Sequence, residues 1–349
     1  MKLHNAVNKK ELKQKVVLEG EDRHVVSLYK YHRLPNVHLF RDHLYILLEP
    51  LGVLGRIYVA TEGINAQISV PVKNWDLFKE KLEEITFLKG NRLNMAVEED
   101  PASFAVLKVK VRKKIVADGL DDAKFNPADT GTHLNAEKFN AILDQPGTVL
   151  VDMRNHYESE VGHFEGAVLP DVDTFRDSLP IVEEMLEPHR EKNIVMYCTG
   201  GIRCEKASAW FKHRGFKNVF QLEGGIIQYA NEVRRQGLEN KFHGKNFVFD
   251  DRLGERISDE IISCCHQCGK PCDDHTNCRN EACHLLFIQC EDCRAETEGC
   301  CSEECKTIAA LPEDEQRQLR RGAPVQRNVF RKGRAVEKIR RAAAGQNPA

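Results

Sequence analysis

The sequence predicts an α/β protein of several modules: an α+β domain first, a domain built on a parallel sheet second, and a cysteine-rich segment third. Three observations lead to this prediction. The chain has 349 residues, more than one ordinary domain holds. Its apolar pattern changes near residue 130, where strands begin to alternate regularly with helices. Eleven of its 13 cysteines lie between Cys264 and Cys305.

The expected domain boundaries follow these changes of pattern. They are residues 1–22 for an N-terminal extension, 23–120 for the α+β domain, 130–240 for the parallel-sheet domain, 241–310 for the cysteine-rich domain and 311–349 for a basic tail that we expect to be disordered. Apolar residues form 41% and charged residues 30% of the chain, which is the balance of a globular protein. This composition excludes fibrous and wholly disordered classes.

The first domain shows strands and helices in the order β-α-β-β-α-β. Strands are predicted over residues 25–31, 55–60, 65–70 and 104–111, and helices over 36–51 and 75–85. Within about a hundred residues this order is typical of a ferredoxin-like domain. No catalytic constellation stands out in it, and the fold alone assigns no function.

The second domain alternates strands with helices. Strands are predicted over residues 148–152, 193–197 and 218–222, and helices over 174–186, 205–214 and 225–233. We expect Pro180 to break or restart the first of these helices. Alternation of this kind predicts a parallel sheet covered on both faces, with reactive groups at the carboxyl ends of its strands. Cys198 occupies such a position.

The loop that follows the strand at 193–197 carries the strongest candidate for chemistry. Its residues are Cys198, Thr199, Gly200, Gly201, Ile202 and Arg203. Backbone N–H groups at a helix start and the cation of Arg203 favour a thiolate at Cys198, and positive φ at Gly200 and Gly201 would curl the backbone into an anion cradle. A cysteine that ends an apolar strand is usually a core residue. The glycines and the arginine favour the functional interpretation here.

Cys204 directly follows the loop. It is a candidate resolving thiol, which would form a disulfide with an oxidised or persulfidated Cys198. The alternative is that it packs as an ordinary apolar residue of the helix. The sequence leaves both interpretations open.

The cysteine-rich segment contains two C-x-x-C units with the spacing of a zinc ribbon. Their four cysteines, Cys265, Cys268, Cys290 and Cys293, are candidate metal ligands. A second site has more candidates than it needs: Cys272, Cys278, Cys283, His284, Cys300, Cys301 and Cys305. Structural zinc, redox-labile thiols and an iron–sulfur centre all remain open as interpretations.

Charge is unevenly distributed, although the net charge is only −2. Basic residues cluster at 108–114 and at 317–341, and such clusters either bind phosphate-rich RNA or form solvated surface. The lysine-rich start lacks the features of a secretory signal, and no apolar stretch is long enough to cross a bilayer. We therefore expect a cytoplasmic protein with no membrane contact.

The loop resembles the active loop of rhodaneses, which has four residues between cysteine and arginine, whereas cysteine phosphatases have five. Two further segments match the rhodanese domain: Asp152-Met153-Arg154 at a strand end, and Gly162-His163-Phe164-Glu165-Gly166-Ala167 after it. The resemblance implies a mainly structural role for Asp152, Arg154 and His163. A catalytic base at His163 is the alternative.

The order of modules, from about Val25 to Cys305, resembles the bacterial rhodanese-like tRNA uridine hydroxylases, with their acylphosphatase-like first domain. The resemblance implies formation of 5-hydroxyuridine at the wobble position of tRNA, with molecular oxygen as co-substrate and the loop cysteine essential. It also implies tRNA rather than DNA as the partner, and an electron donor of unknown identity, with a protein sulfur or electron donor as a further partner. Two alternatives stay open: a sulfurtransferase that passes on a Cys198 persulfide, and a non-enzymatic RNA-binding scaffold.

Overall fold

The computed structural model describes residues 9–122 and 124–321, together with Ile339. Within these residues no helix is both long enough and apolar enough to span a membrane. Part of the predicted tail is helical rather than disordered, because acidic residues begin and basic residues end the helix Glu313–Arg320, and Glu313 pairs with Arg317 at 3.2 Å. Apart from Ile339, the predicted tail beyond Arg321 lies outside the described residues.

The first domain is ferredoxin-like, as the sequence predicts, but its last strand lies elsewhere in the sheet. Its elements, after helix α1 (Lys9–Glu19), are β1 (Arg23–Tyr31), α2 (Val37–Leu48), β2 (Leu54–Ala60), β3 (Gly63–Pro71), α3 (Trp75–Glu83), β4 (Asn94–Met95) and β5 (Leu107–Val111). The sheet order is β4-β1-β3-β2-β5. The two-residue strand β4 takes the place beside β1, and β5 pairs in parallel with β2 at the opposite edge. A strand of two residues is too short to show the alternation that reveals a strand in sequence.

The two faces of this sheet differ in chemistry. On one face, Val26 and Leu28 of β1 and Ile57 and Val59 of β2 pack with α2 and α3 in a continuous apolar core. Side chains alternate between faces along each strand, so the residues between them point to the opposite face. That face is polar and aromatic, and part of it lies against the second domain.

The second domain has a four-stranded parallel sheet of order β6-β10-β9-β7. Its elements are β6 (Thr132–Leu134), α4 (Ala136–Leu143), β7 (Val149–Asp152), α5 (His156–Ser159), β8 (Gly162–Phe164), α6 (Phe175–Leu186), β9 (Asn193–Tyr197), α7 (Ile202–His213), β10 (Asn218–Leu222) and α8 (Gly225–Gln236). Phe139 of α4 and Tyr229 of α8 belong to the core on one face, and Leu179 of α6 and Phe211 of α7 to the core on the other. The prediction of a parallel sheet covered by helices is confirmed.

Pro180 does not end helix α6, contrary to the expectation from sequence. It lies inside the helix, where it removes one backbone hydrogen bond. Leu179, Val182 and Leu186 are fully buried in the core on either side of it. Tertiary packing of this apolar face therefore holds the turn that local propensity disfavours.

The cysteine-rich domain joins the second domain through a small sheet. Its elements are β11 (Phe242–Asn246), β12 (Glu255–Arg256), β13 (His275–Asn277), β14 (Leu286–Ile288), α9 (Glu291–Glu296), α10 (Glu303–Ala310) and α11 (Glu313–Arg320). Strand β11 pairs antiparallel with β8. The segment 248–252 then passes close to the loop that contains Cys198.

Candidate functional site

Cys198 lies between the carboxyl end of β9 and the start of α7. The backbone N–H of Gly201 donates to its sulfur at 3.2 Å. The start of α8 also holds the loop, because the N–H groups of Ile226 and Ile227 donate to the carbonyls of Cys198 and Thr199 at 3.0 and 3.2 Å. Backbone hydrogen bonds at two helix starts thus fix the thiol in place.

Only the second of the two loop glycines uses a glycine-specific conformation. Gly201 has φ of 94°, whereas Gly200 is not among the glycines with positive φ, so the expectation is correct for one and wrong for the other. A Cβ at Gly201 would also lie 2.7 Å from the hydroxyl of Tyr29. The first domain therefore approaches the loop so closely that a side chain at Gly201 would collide with it.

The environment of Cys198 favours the thiolate. Burial by itself raises the pKa of this thiol, but a hydrogen bond from Cys204, the charge of Arg203 and the backbone N–H groups of Cys204 and Arg203 outweigh burial and lower the pKa to about 6. At neutral pH the sulfur is therefore mostly ionised. A nucleophile or sulfur carrier needs this form.

Arg203 is held by a carboxylate that was not predicted from the sequence. Its two terminal nitrogens donate to the two carboxylate oxygens of Glu158 at 2.7 and 2.8 Å, and one of them also donates to the Thr199 hydroxyl at 3.2 Å. Glu158 is fully buried. The spacing of Asn155 and Glu158 matches a helix capping box, which was the available signal. The pair fixes the orientation of the guanidinium near the sulfur.

Cys204 lies in the first turn of α7 with its side chain fully buried. Burial raises the pKa of its thiol, and the hydrogen bond to Cys198 raises it further. Both cysteines are free thiols in the structure. In this arrangement the protonated Cys204 acts as a hydrogen-bond donor to the Cys198 thiolate.

A cavity of about 410 Å³ lies beside the loop, between the first and second domains. Its wall includes Cys198 and Arg203 from the second domain, Ser27 and Tyr58 from the first, and Phe249 from the segment before β12. Cavities of this size accept small organic groups, and a nucleobase is such a group. This cavity could not be predicted from the sequence, because its walls come from segments of all three domains that lie far apart along the chain.

Buried charges join the first and second domains next to the cavity. Lys206 of α7 donates to Glu62 at 2.8 Å and also contacts Asp118, and the side chain of Lys206 is almost completely buried. Tyr29 donates to Glu205 at 2.9 Å. Because a buried cation without a partner is costly, Lys206 needs the carboxylates of Glu62 and Asp118 beside it, and these contacts favour the relative position of the two domains in which the charges are paired.

The other residues of the rhodanese-like pattern hold the scaffold. Asp152 and Arg154 form a completely buried ion pair, with Arg154 Nη2 2.6 Å from both the Asp152 carboxylate and the Gly162 carbonyl. The Nδ1 atom of His163 is 2.9 Å from the Ser159 carbonyl oxygen, and His163 is not among the residues that line the cavity. These contacts match the structural roles that the resemblance implies.

Eight cysteines of the third domain form two groups of four. Cys265, Cys268, Cys290 and Cys293 make one group, and Cys278, Cys283, Cys301 and Cys305 make the other, with all four sulfurs of a group within 4.8 Å of one another. The Cys268–Cys290 and Cys283–Cys301 sulfur distances are 3.6 and 3.7 Å, and all of these cysteines are free thiols. Tetrahedral Zn–S bonds of about 2.3 Å place sulfurs roughly 3.8 Å apart. Both groups can hold a metal ion.

The structure selects the second group from the larger set of candidates. His284, Cys272 and Cys300 are not part of it. The two groups also alternate along the chain, since the pair Cys278 and Cys283 lies between the two C-x-x-C units of the first group. We refer to them below as the first and second cysteine tetrads.

Three family models match the chain, and together they cover most of it. They are the UPF0176 acylphosphatase like domain over residues 23–115, the rhodanese-like domain over 135–232 and the rhodanase C-terminal region over 243–306. The described fold agrees with each of them in position and type.

Curated relatives match over nearly the whole length. The chain is 58% identical over 335 residues to the tRNA uridine(34) hydroxylase of Pectobacterium carotovorum, which covers 96% of this chain and 94% of that protein. It is 55% identical over 333 residues to the protein of the same name from Photorhabdus laumondii, covering 95% of each chain. Among solved structures, the rhodanese-like domain of an Anabaena protein matches 32% of this chain and 78% of its own, with 19% identity and a TM-score of 0.27.

Proposed function

The chain belongs to the family of the tRNA uridine(34) hydroxylases, and from this membership we propose that it converts the wobble uridine of tRNA to 5-hydroxyuridine with molecular oxygen as co-substrate. The observation that carries the proposal is the near-complete match to hydroxylases, combined with an ionised thiol at a cavity of base-accepting size. The substrate, tRNA, and the working place, the cytoplasm, follow from the same proposal.

The proposed reaction needs both oxygen and electrons. One atom of O2 becomes the hydroxyl on C5 of the base and the other leaves as water, so two electrons and two protons must come from a donor. The Cys198 thiolate contributes either by adding to the pyrimidine ring, which activates the adjacent carbon, or by carrying a persulfide that supplies reducing equivalents. Trapping on tRNA distinguishes the two roles, because only the first gives a covalent Cys198–RNA adduct.

The function is tested by mass spectrometry of tRNA nucleosides. In cells that lack the gene we expect 5-hydroxyuridine to disappear from the tRNA, and we expect the wild-type chain to restore it. A parallel assay with thiosulfate and cyanide measures thiocyanate, the product of the sulfurtransferase alternative. Unchanged 5-hydroxyuridine after deletion, together with efficient thiocyanate production, would contradict the hydroxylase proposal.

We further propose that Cys204 tunes the reactive thiol and, when Cys198 is oxidised, acts as its disulfide partner. Its burial next to Cys198 and the hydrogen bond between the two thiols support this role. The anion-cradle residues Thr199 to Arg203 act with it. Their backbone N–H groups and the Arg203 charge stabilise negative charge on the sulfur or on a group that the sulfur carries.

We propose that the two cysteine tetrads hold structural zinc, and we expect two zinc ions per chain by elemental analysis. Four thiolates per site, at the sulfur spacing of a tetrahedral complex, support zinc. Replacing Cys268 with serine should lower the zinc content to at most one ion per chain. The Cys264→Ser variant is a matched control, because Cys264 neighbours Cys265 but belongs to neither tetrad. Purified protein with no zinc, or with iron instead, would contradict the proposal.

A further inference from the structure

The polar face of the ferredoxin-like sheet carries two rows of side chains that cross the strands. Strand register aligns Lys108 of β5, Arg56 of β2, Gln67 of β3 and Ser27 of β1 in the first row. The second row contains Lys110, Tyr58, Asn65 and Tyr29 in the same order of strands. Every member of these rows lies on the face opposite the apolar core, because at least one of its strand neighbours is a core residue.

The outer end of these rows is basic. Lys108 and Lys110 are exposed on the edge strand β5, and the guanidinium of Arg112 lies 5.2 Å from the centre of the Tyr58 ring. The basic cluster at residues 108–114 is therefore not one continuous surface in the structure. Lys114 is turned away to Asp118 and to the Leu120 carbonyl at 2.7 Å.

The inner end of the rows opens into the reaction cavity. Tyr58, Gln67, Asn65 and Ser27 line the same cavity as Cys198. Three interstrand spacings of about 4.8 Å separate β5 from β1, so the basic edge lies roughly 14 Å from the strand that borders the Cys198 loop. Positive charge, an aromatic ring, amide groups and the nucleophile therefore follow one another across a single surface.

We propose that this face is the docking platform for single-stranded RNA, here the anticodon loop of the tRNA, which it guides to Cys198. The inference rests on the proposed function and adds the surface that binds the substrate. Lys108, Lys110 and Arg56 bind backbone phosphates, and Tyr58 stacks on a base next to the target. Unpaired bases are the part of RNA that stacks on aromatic side chains and offers its hydrogen-bonding edges, so a loop fits this surface better than a duplex.

Salt-dependent binding tests the basic edge. The full-length Lys108→Ala/Lys110→Ala variant is compared with Lys79→Ala/Lys81→Ala, which removes the same charge from α3 on the other side of the sheet. The probe is a fluorescent anticodon stem-loop RNA with unmodified uridine at the wobble position. Loss of two phosphate contacts should reduce the slope of log K against log salt by about 1.4, and the control should keep the wild-type slope. Equal slopes for both double variants would overturn the proposal.

The aromatic step is tested separately at Tyr58. Tyr58→Ala should weaken binding of the same RNA about tenfold or more, whereas Tyr58→Phe, which keeps the ring, should bind like wild type. Thermal unfolding checks that each variant is folded. If Tyr58→Ala does not fold, RNA binding by the Lys108→Ala/Lys110→Ala variant tests the proposal instead. Wild-type affinity in folded Tyr58→Ala contradicts the stacking role.

Different experimental results would contradict the proposed function and the proposed docking platform. If the platform is wrong, the variants bind normally while the wild-type chain still forms 5-hydroxyuridine. If the hydroxylase proposal is wrong, deletion of the gene leaves 5-hydroxyuridine unchanged whatever the binding data show. Binding of a second copy of this chain at the face, detected as a dimer that Lys110→Glu dissociates, would also overturn the RNA proposal.

Discussion

Replacing Cys198 with serine is expected to lower the rate of 5-hydroxyuridine formation by at least about 1,000-fold. Serine fits the space, and the Gly201 N–H that lies 3.2 Å from the sulfur would still have an acceptor. Its hydroxyl, however, stays protonated at neutral pH and does not carry a persulfide. The rate is measured by mass spectrometry of tRNA nucleosides after single-turnover reactions. A serine variant with near wild-type activity would exclude Cys198 from the chemistry.

The ionisation of Cys198 gives the same prediction a pH signature. With a pKa of about 6, the thiolate fraction rises through pH 6 and is nearly complete above pH 7. Alkylation of Cys198 by iodoacetamide, followed by peptide mass spectrometry, should rise with this midpoint and then level off. In Cys204→Ala the loss of the donor hydrogen bond should move the midpoint to higher pH. A midpoint near 8.5, the ordinary value for cysteine, would contradict the proposed stabilisation.

Breaking the Arg203–Glu158 pair is expected to lower the free energy of unfolding by about 3 kcal/mol or more, because either single change leaves a buried charge without its partner. The two single variants should move the Cys198 pKa in opposite directions. Glu158→Gln leaves the Arg203 charge uncompensated, so the pKa falls further. Arg203→Met removes the cation and leaves the Glu158 charge, so the pKa rises.

Chemical denaturation and the iodoacetamide profile measure these two effects separately. A suitable control is Glu187→Gln, which breaks an exposed arginine–carboxylate pair in the same domain and should change neither quantity much. If Glu158→Gln and Arg203→Met shift the alkylation midpoint in the same direction, loosened packing and not charge sets the pKa of Cys198.

The features visible in the sequence are those encoded by neighbouring residues. The loop with Cys198 and the strand–helix alternation around it depend on periodicity and on local turn residues, so the fold class and the position of the candidate thiol at a strand end were predictable. The capping box was visible in the sequence too. That its Glu158 carboxylate pairs with Arg203, 45 residues further along the chain, is visible only in the structure. Which residue pairs with a buried charge depends on the tertiary structure, and residue spacing in the sequence does not predict it.

The features that could not be predicted from the sequence depend on contacts between distant segments or on very short elements. Strand β4 is set by pairing with β1, and its two residues carry no pattern of their own. The cavity requires the first domain to lie against the Cys198 loop. The members of the second cysteine tetrad were identifiable only by position, because spacing alone did not separate Cys301 from Cys300.

The alternation of the two cysteine tetrads has a consequence for biosynthesis. As the chain is made from its N-terminus, the first tetrad is incomplete until Cys293 has emerged, and by then Cys278 and Cys283 are already present without Cys301 and Cys305. Neither group can therefore be finished as an independent early step of translation. A nascent chain passes through a stage with open thiol pairs from both groups. If the two groups bind the zinc that we propose, the chain needs reducing conditions and prompt metal supply during that interval.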